Sequence, residues 1–348
     1  MIRVALDAVG GDRGVEPNVR GASHALREWP DLAVLFVGPR SEVERALSRA
    51  ETDRNRIELV EASEVVSMAD PATAPLRQKP NSSIRVAANL VREGKADALV
   101  SAGNTGAAMA AAKVVMGTIE GVDRPALAWS LPTRSGLTVL TDVGANVDCK
   151  AHHLLQFAVM GSLYARILGS DNPRIALLSI GEEESKGDDL IRTVHKVLKG
   201  TSLNFVGNID GKDLFSGKAD VIVCDGVLGN VVLKTCESLV ETLEGIMRSE
   251  FSASLWTRLG YLLSRPVLSR IRKRLDYTEY GGVPLLGIRG TTVVCHGRSN
   301  ARAIQSALGA AIECERRKVN DRILAEVARL AETEADYFPT PVKKAIQP

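Results

Sequence analysis

The stretch Ser101-Ala102-Gly103-Asn104-Thr105-Gly106 joins a short apolar run, Ala98-Leu99-Val100, to an Ala-rich segment of high helix propensity, Ala107 to Val115. A strand that passes through a small-residue glycine loop into a helix aims backbone N–H groups and the positive helix end at one point. That arrangement suits an anion, above all a phosphate. An ordinary strand-to-helix turn uses the same residues, and the loop is neither G-x-G-x-x-G nor a P-loop. The same grammar recurs, however, four more times. Asp142-Val143-Gly144-Ala145-Asn146-Val147-Asp148 follows Leu137 to Thr141, and Ile180-Gly181-Glu182-Glu183-Glu184-Ser185-Lys186-Gly187 follows Arg174 to Ser179. Asp225-Gly226-Val227-Leu228-Gly229-Asn230 follows Asp220 to Cys224, and His296-Gly297-Arg298-Ser299-Asn300 follows Thr291 to Cys295. Five exits of this make-up predict one shared cleft for a phosphate and a polar carbonyl, at the carboxyl ends of strands in an open α/β sheet.

The elements that must position these loops alternate. Ile2 to Leu6, Leu32 to Val37 and Ile57 to Val60 read as strands, with helices over Asn18 to Trp29, Ser41 to Ala50 and Ser83 to Glu93. Asp7 and Asp12, in the glycine turn after the first strand, cap backbone donors or bind a metal. Met68 to Pro80 carries three prolines and reads as an irregular loop or a lid. A helix from about Lys150 to Leu168 has Asp148 as its expected cap. Strand–helix alternation predicts βαβ units around a mostly parallel sheet. The alternation is expected to continue through a helix to about Arg317, followed by a charged, helical stretch from about Lys318 and a frayed tail.

Composition narrows the function. The 348 residues are 45% hydrophobic, 25% charged and only 4% aromatic, with a net charge of +2, which argues against a base-stacking or polyanion-binding surface and so against nucleic acid. Five scattered cysteines without a C-x-x-C pair predict neither a disulfide framework nor a zinc site, and fit a reducing cytoplasm. The N-terminus reaches a carboxylate at Asp7, too early for a signal peptide. No apolar run is long enough to span a bilayer.

Phe251 to Leu275 breaks the alternation. Phe251, Leu255, Leu259 and Leu262 fall at helical spacing, Trp256 and Leu263 widen the stripe, and Pro266 is expected to end the first helix of a hairpin. Arg258, Arg265, Arg270, Arg272, Lys273 and Arg274 carry its charge, with no acid between Phe251 and Leu275. Such a basic amphipathic hairpin lies on a membrane surface, grips an acidic protein, or packs on the core or a second copy.

Taken together, SAGNTGA, DVGANVDC, GEEESKG, CDGVLGNVVLKT, DYTEYGGVPLLG and HGRSNA stand in the order and spacing of the bacterial phosphate acyltransferases of phospholipid synthesis. The chain resembles that family over about residues 1 to 316. It departs from it at Val9 and Arg13, where a Met and a His are usual. The resemblance implies a dimeric α/β/α protein similar to phosphotransacetylases and isopropylmalate-type dehydrogenases. It implies attack of inorganic phosphate on a long-chain acyl thioester of acyl carrier protein. The acyl phosphate formed would serve a membrane-bound glycerol 3-phosphate acyltransferase. It also implies peripheral membrane association through the hairpin, with Leu255, Trp256, Leu259, Leu262, Arg270, Arg272, Lys273 and Arg274 as membrane or carrier contacts.

The residues fit that chemistry. Phosphate is itself a nucleophile, so the site must supply position and charge stabilisation, and no cofactor or metal is expected. Lys186 is the expected phosphate cation and Asn230 the expected donor to the thioester oxygen. Ser101, Gly103, Asn104, Thr105, Gly106 and Gly181 should cradle phosphate. Asn146 and Asp148 order neighbouring loops or face the cleft, Asp225 orients Asn230 or Lys186, Gly229 is among the residues that bind phosphate or the acyl thioester, and His296 is an acid, a base or a structural hydrogen-bonding group. Cys224 and Cys295 end apolar strands and read as core. Two rivals remain at this stage: a metal- and NAD-dependent decarboxylating dehydrogenase on the same scaffold, and a non-catalytic, membrane-docked carrier scaffold.

Overall fold

A computed structural model describes residues 1–275 and 282–333, with side chains described through Arg270 in the first stretch. Nothing is described of the side chains of Arg272, Lys273 and Arg274, and the DYTEYG part of one motif and residues 334–348 lie outside the described residues. Among the described residues eleven strands form one sheet: β1 (Ile2–Asp7), β2 (Leu32–Gly38), β3 (Ile57–Glu61), β4 (Ala98–Ser101), β5 (Ala126–Pro132), β6 (Leu137–Thr141), β7 (Ile175–Leu178), β8 (Phe205–Ile209), β9 (Val221–Val223), β10 (Val283–Leu286) and β11 (Thr291–Val294). The helices are α1 (Val15–Glu28), α2 (Arg40–Ser48), α3 (Ala74–Arg77), α4 (Ser83–Arg92), α5 (Thr105–Ala111), α6 (Ala151–Ile167), α7 (Asp189–Lys199), α8 (Gly226–Ser252), α9 (Leu255–Leu275), α10 (Ala301–Arg316) and α11 (Val319–Thr333).

Strand order is β3-β2-β1-β4-β11-β10-β5-β6-β9-β7-β8. Pairing is mostly parallel, but β11–β10, β10–β5 and β5–β6 are antiparallel. Three reversals in a row leave β6, β9, β7 and β8 running opposite to β1, β2, β3, β4 and β11. The loops expected along one edge of a parallel sheet therefore leave opposite edges of a mixed one. Those beyond β4, β6, β9 and β11 meet over the antiparallel centre.

Both faces of the sheet are covered, as the alternating burial requires. Ala5, Leu35, Leu99, Leu140 and Ile222 point to one face, into a core shared with α4 and α5. Their neighbours turn the other way. Val4, Phe36 and Val100 pack under α1, α2 and α10, while Val139, Leu177 and Val223 pack under α6, α7 and α11. The result is three α/β/α layers. α6 is apolar on all sides because it is enclosed, with Leu154, Phe157, Ala158 and Met160 fully buried. α11 docks on the same core through Val319, Ile323, Val327 and Leu330.

The hairpin turns at Ala253 and Ser254, whereas Pro266 sits inside α9. Ser254 and Thr257 cap each other: Ser254 Oγ accepts from Thr257 N–H at 3.1 Å and Thr257 Oγ1 from Ser254 N–H at 3.0 Å. That reciprocal cap starts the second helix where the sequence reading still had the first. Pro266 is tolerated because α9 is exposed, so the carbonyl it leaves unpaired meets water.

Candidate active site

A cleft of about 380 Å³ opens over the antiparallel centre of the sheet. Thr105 and Gly106 at the start of α5 form one wall with His296 and Ser299 beyond β11, while Gly144 beyond β6 and Asn230, Lys234 and Glu237 of α8 form the other. The floor is apolar: Leu127, Trp129, Val143, Leu233, Val283 and Val294.

The wall carried by α8 depends on two glycines. A Cβ at Gly226 would overlap the Asn146 carbonyl, and one at Gly229 would overlap the Asp142 carbonyl. Without side chains there, the helix sets its first turn directly on the Asp142–Asn146 loop, and Asp225 Oδ1 caps it by accepting from Val227 and Leu228 N–H at 2.8 and 2.9 Å. Asn230, Leu233, Lys234 and Glu237 follow the glycines at helical spacing and so face the cleft. The Asn230 amide stands over Gly144, whose φ of 133° only glycine adopts readily.

Beneath that loop lies Asp142, fully buried. Its Oδ1 accepts from the N–H groups of Leu127, Gly144 and Ala145 at 2.9, 3.2 and 3.0 Å. Its Oδ2 accepts from Asn146 N and Nδ2 at 2.8 and 2.9 Å. Burial pushes the carboxyl pKa up, while these five donors hold against it and favour the carboxylate. Asn146 also donates to the Pro125 carbonyl at 2.8 Å, so its amide is spent on ordering the loop. Asp148 is exposed, and Arg124 holds its carbonyl. The expected cap of α6 at Asp148 is not made; the N-cap is Lys150, whose N–H donates to His153 Nδ1 at 2.9 Å.

On the opposite wall, Ser101 is buried and donates to Asp7 Oδ2 at 2.7 Å while accepting from Gly103 N–H at 3.0 Å. Asn104 caps α5 by accepting from Ala107 N–H at 3.0 Å, and its Nδ2 reaches the Met68 and Asp70 carbonyls at 3.2 and 3.0 Å. Asn104 thus straps down the proline-rich segment. The side chains of Ser101 and Asn104 shape the loop, and Thr105 and Gly106 are what it presents to the cleft.

Lys234 Nζ pairs with Glu237 Oε2 at 2.8 Å, and His296 Nε2 lies 3.8 Å from the same carboxylate. His296 Nδ1 accepts from Arg298 N–H at 3.1 Å, which places the proton of the neutral ring on Nε2. Burial lowers the His296 pKa, with Glu237 opposing, so the ring offers an N–H donor and its acceptor nitrogen is already used.

The β7 exit departs from expectation. Gly181 and Lys186 do not line the cleft, because their loop flanks the β9 exit on the side away from β6. Lys186 is exposed, and Glu182 and Glu184 pair with Lys212 and Lys199 at 2.9 and 2.5 Å. Sequence reading missed Lys234 and Glu237; the signal was their spacing of four and seven residues from Asn230 on one helix face. Among the described residues, one trio of ligand-type side chains meets: Asp123, His152 and His153. The Lys150 N–H on His153 Nδ1 puts the ring proton on Nε2, the atom 2.8 Å from Asp123 Oδ2, so that nitrogen has no lone pair for a metal.

Solved structures share this architecture. A phosphotransacetylase from Streptococcus pyogenes superposes with a TM-score of 0.59 at 19% identity, covering 90% of this chain and 94% of that one. A branched-chain phosphotransacylase from Enterococcus faecalis gives 0.57 at 17%, covering 90% and 98%. The fold is therefore phosphotransacetylase-like. It alone does not fix chemistry, since a 4-hydroxythreonine-4-phosphate dehydrogenase from Salmonella typhimurium also superposes, with a TM-score of 0.51 at 13% identity over 90% of this chain and 99% of that one.

Sequence settles the family. The family model described as "Fatty acid synthesis protein" matches residues 2–322, and the chain belongs to that family. The phosphate acyltransferase of Syntrophotalea carbinolica is 48% identical over 94% of each chain, and that of Geotalea uraniireducens is 49% identical over 92% of this chain and 93% of the relative.

Proposed function

We propose that the cleft transfers a long-chain fatty acyl group from acyl-acyl carrier protein to inorganic phosphate, giving an acyl phosphate for glycerol 3-phosphate acylation. The observation that carries this reading is the pairing of polar walls with an apolar floor. Lys234 and the first-turn amides of α5 favour an anion, and the floor from Leu127 to Val294 favours an acyl chain. In the step itself a phosphate oxygen bonds to the thioester carbonyl carbon, and Asn230 Nδ2 and His296 Nε2–H face the oxyanion that forms. The carbon–sulfur bond then breaks, and the proton of hydrogen phosphate ends on the departing sulfur. Lys186, exposed on the flanking loop, is assigned a secondary role in drawing phosphate toward the cleft. The test is acyl hydroxamate formation from palmitoyl-acyl carrier protein with phosphate and hydroxylamine. Hydroxamate and free carrier thiol should rise together with phosphate. Enzyme-dependent thiol release that is independent of phosphate, after subtracting the direct attack of hydroxylamine on the thioester in an enzyme-free control, would overturn the reading.

The same reading includes a homodimer and a peripheral membrane site. Leu239, Leu243, Ile246 and Met247 leave a helical apolar stripe exposed on α8, suited to a second copy of this chain. At the hairpin tip Leu255 and Trp256 are 80% and 83% exposed, and Leu259 and Leu262 continue the stripe beside Arg258, Arg265 and Arg270. Leu255→Glu with Trp256→Glu should lower co-sedimentation with anionic vesicles at least 10-fold. Transfer from soluble acyl donors should stay unchanged. Unaltered vesicle binding would move the membrane contact elsewhere. No helix among the described residues is long and apolar enough to cross a membrane.

A further inference from the structure

One charged surface has no role in the cleft. Arg13, Arg20 and Arg302 line an open depression of about 340 Å³ together with Glu16, Pro17 and Asn300. Arg13 and Arg20 are exposed and make no ion pair with the described residues. The single acid in the depression, Glu16, is already paired with Arg49 at 3.0 Å. Arg13 and Arg20 therefore keep their positive charge with no acid among the described residues to offset it, although the whole chain carries a net charge of only +2.

Its position gives that charge a use. Ser299 and Ala303 line the cleft, whereas Asn300, Ala301 and Arg302 line the depression, so the two share the entry and first turn of α10 from opposite sides. The spacing is rigid. A Cβ on Gly21 would lie 2.6 Å from both the Ala301 carbonyl oxygen and Ile304 Cβ, so α1 rests directly on α10 and carries Arg20 at a fixed place beside it. An acidic protein seated on the arginines would stand outside the cleft, against the first turn of the helix whose other side faces it.

We propose that the Arg13–Arg20–Arg302 depression is the docking surface for the acidic carrier protein that delivers the acyl thioester. This rests on the function proposed above and adds where the donor binds. It also separates the two basic surfaces of the chain: the cations beside α1 receive the carrier, and those of the hairpin remain for lipid. Charge-complementary docking of this kind speeds encounter and weakens with salt, because exposed charges are screened over about 8 Å at physiological ionic strength.

The experiment compares wild type with the double variant Arg13→Glu, Arg20→Glu. Both positions are exposed and unpaired, and melting temperature checks that folding is kept. With palmitoyl-acyl carrier protein as donor, KM should rise about 10-fold or more with kcat unchanged, and the difference should shrink as salt is raised. With the uncharged palmitoyl-N-acetylcysteamine thioester, the two proteins should behave alike. Arg13→Lys with Arg20→Lys should restore carrier KM. An unchanged carrier KM, or an equal loss with both donors, would overturn the proposal. Direct titration of fluorescent carrier lacking an acyl group keeps this separate from the reaction. If wild type forms no acyl phosphate from either donor, the proposed function fails. Carrier binding that the Glu variant loses would still support the docking surface, and carrier binding equal in both proteins would reject it.

Discussion

Asn230→Ala and Lys234→Ala are each expected to lower kcat/KM for phosphate-dependent acyl transfer by about 10²–10³-fold, the usual cost of removing one preorganised donor from an acyl-transfer site. Stability should barely change. Asn230 is exposed, and the Lys234–Glu237 pair holds together two residues of one helix, with the Lys234 side chain 53% exposed. The two variants should differ in kind. Lys234→Ala should raise KM for phosphate as well as lower kcat, because it removes the cation. Asn230→Ala should act chiefly on kcat, because its amide meets the oxyanion only as the transition state forms. Lys186→Ala should raise phosphate KM by a smaller factor, about 10-fold, from its place on the flanking loop. Activity within threefold of wild type in both cleft variants would remove α8 from the chemistry.

The largest effect on stability is expected at Asp142. Replacing it with alanine strips five N–H donors of their acceptor in a site closed to water. Unfolding free energy should fall by about 3–5 kcal/mol, near the top of what single substitutions do. Denaturant titration would show the midpoint shift at unchanged slope. Activity should fall further than stability, since Gly144 and the seat of α8 both hang on this carboxylate. A loss below 1 kcal/mol would mean that the loop holds its shape without it.

Much of this arrangement is legible in the sequence where local rules act. The alternation of Val4, Ala5 and Leu6, or of Val34, Leu35, Phe36 and Val37, marks strands buried on both faces. The strand–helix alternation and the small-residue exits point to a mostly parallel α/β sheet with a phosphate cleft, and the six motifs carry the resemblance to the family to which the chain belongs. What local rules miss is set at long range. β5 and β10 are not flanked by helices on both sides and carry Pro132 and Pro284; their antiparallel pairing reverses half of the sheet. Pro266 marks a lost hydrogen bond correctly, yet an exposed helix tolerates it, and Ser254 with Thr257 decides where the hairpin turns. Lys186 stands in a loop of the right make-up on the wrong side of β9. Lys234 hides in an ordinary helix until Gly226 and Gly229 show which of its faces is pressed against Asp142.

The middle of the sheet also sets a clock. β4 and β5 are joined only through β10 and β11, residues 283–294. While the ribosome is still making the preceding 282 residues, the two half-sheets can each form, but no strand connects them. From the end of β5 to the end of β11 about 160 residues are added, an interval of roughly 10–30 seconds at about 5–20 residues per second. Throughout it β4 and β5 each present an open apolar edge, and in the finished protein every residue of β4 is buried. A chain stalled before its last strand would hold the α5 and α8 sides of the cleft, without His296 and Ser299, and nothing to keep them facing each other. Its exposed edges make it a substrate for chaperones, and a hazard to other copies of itself.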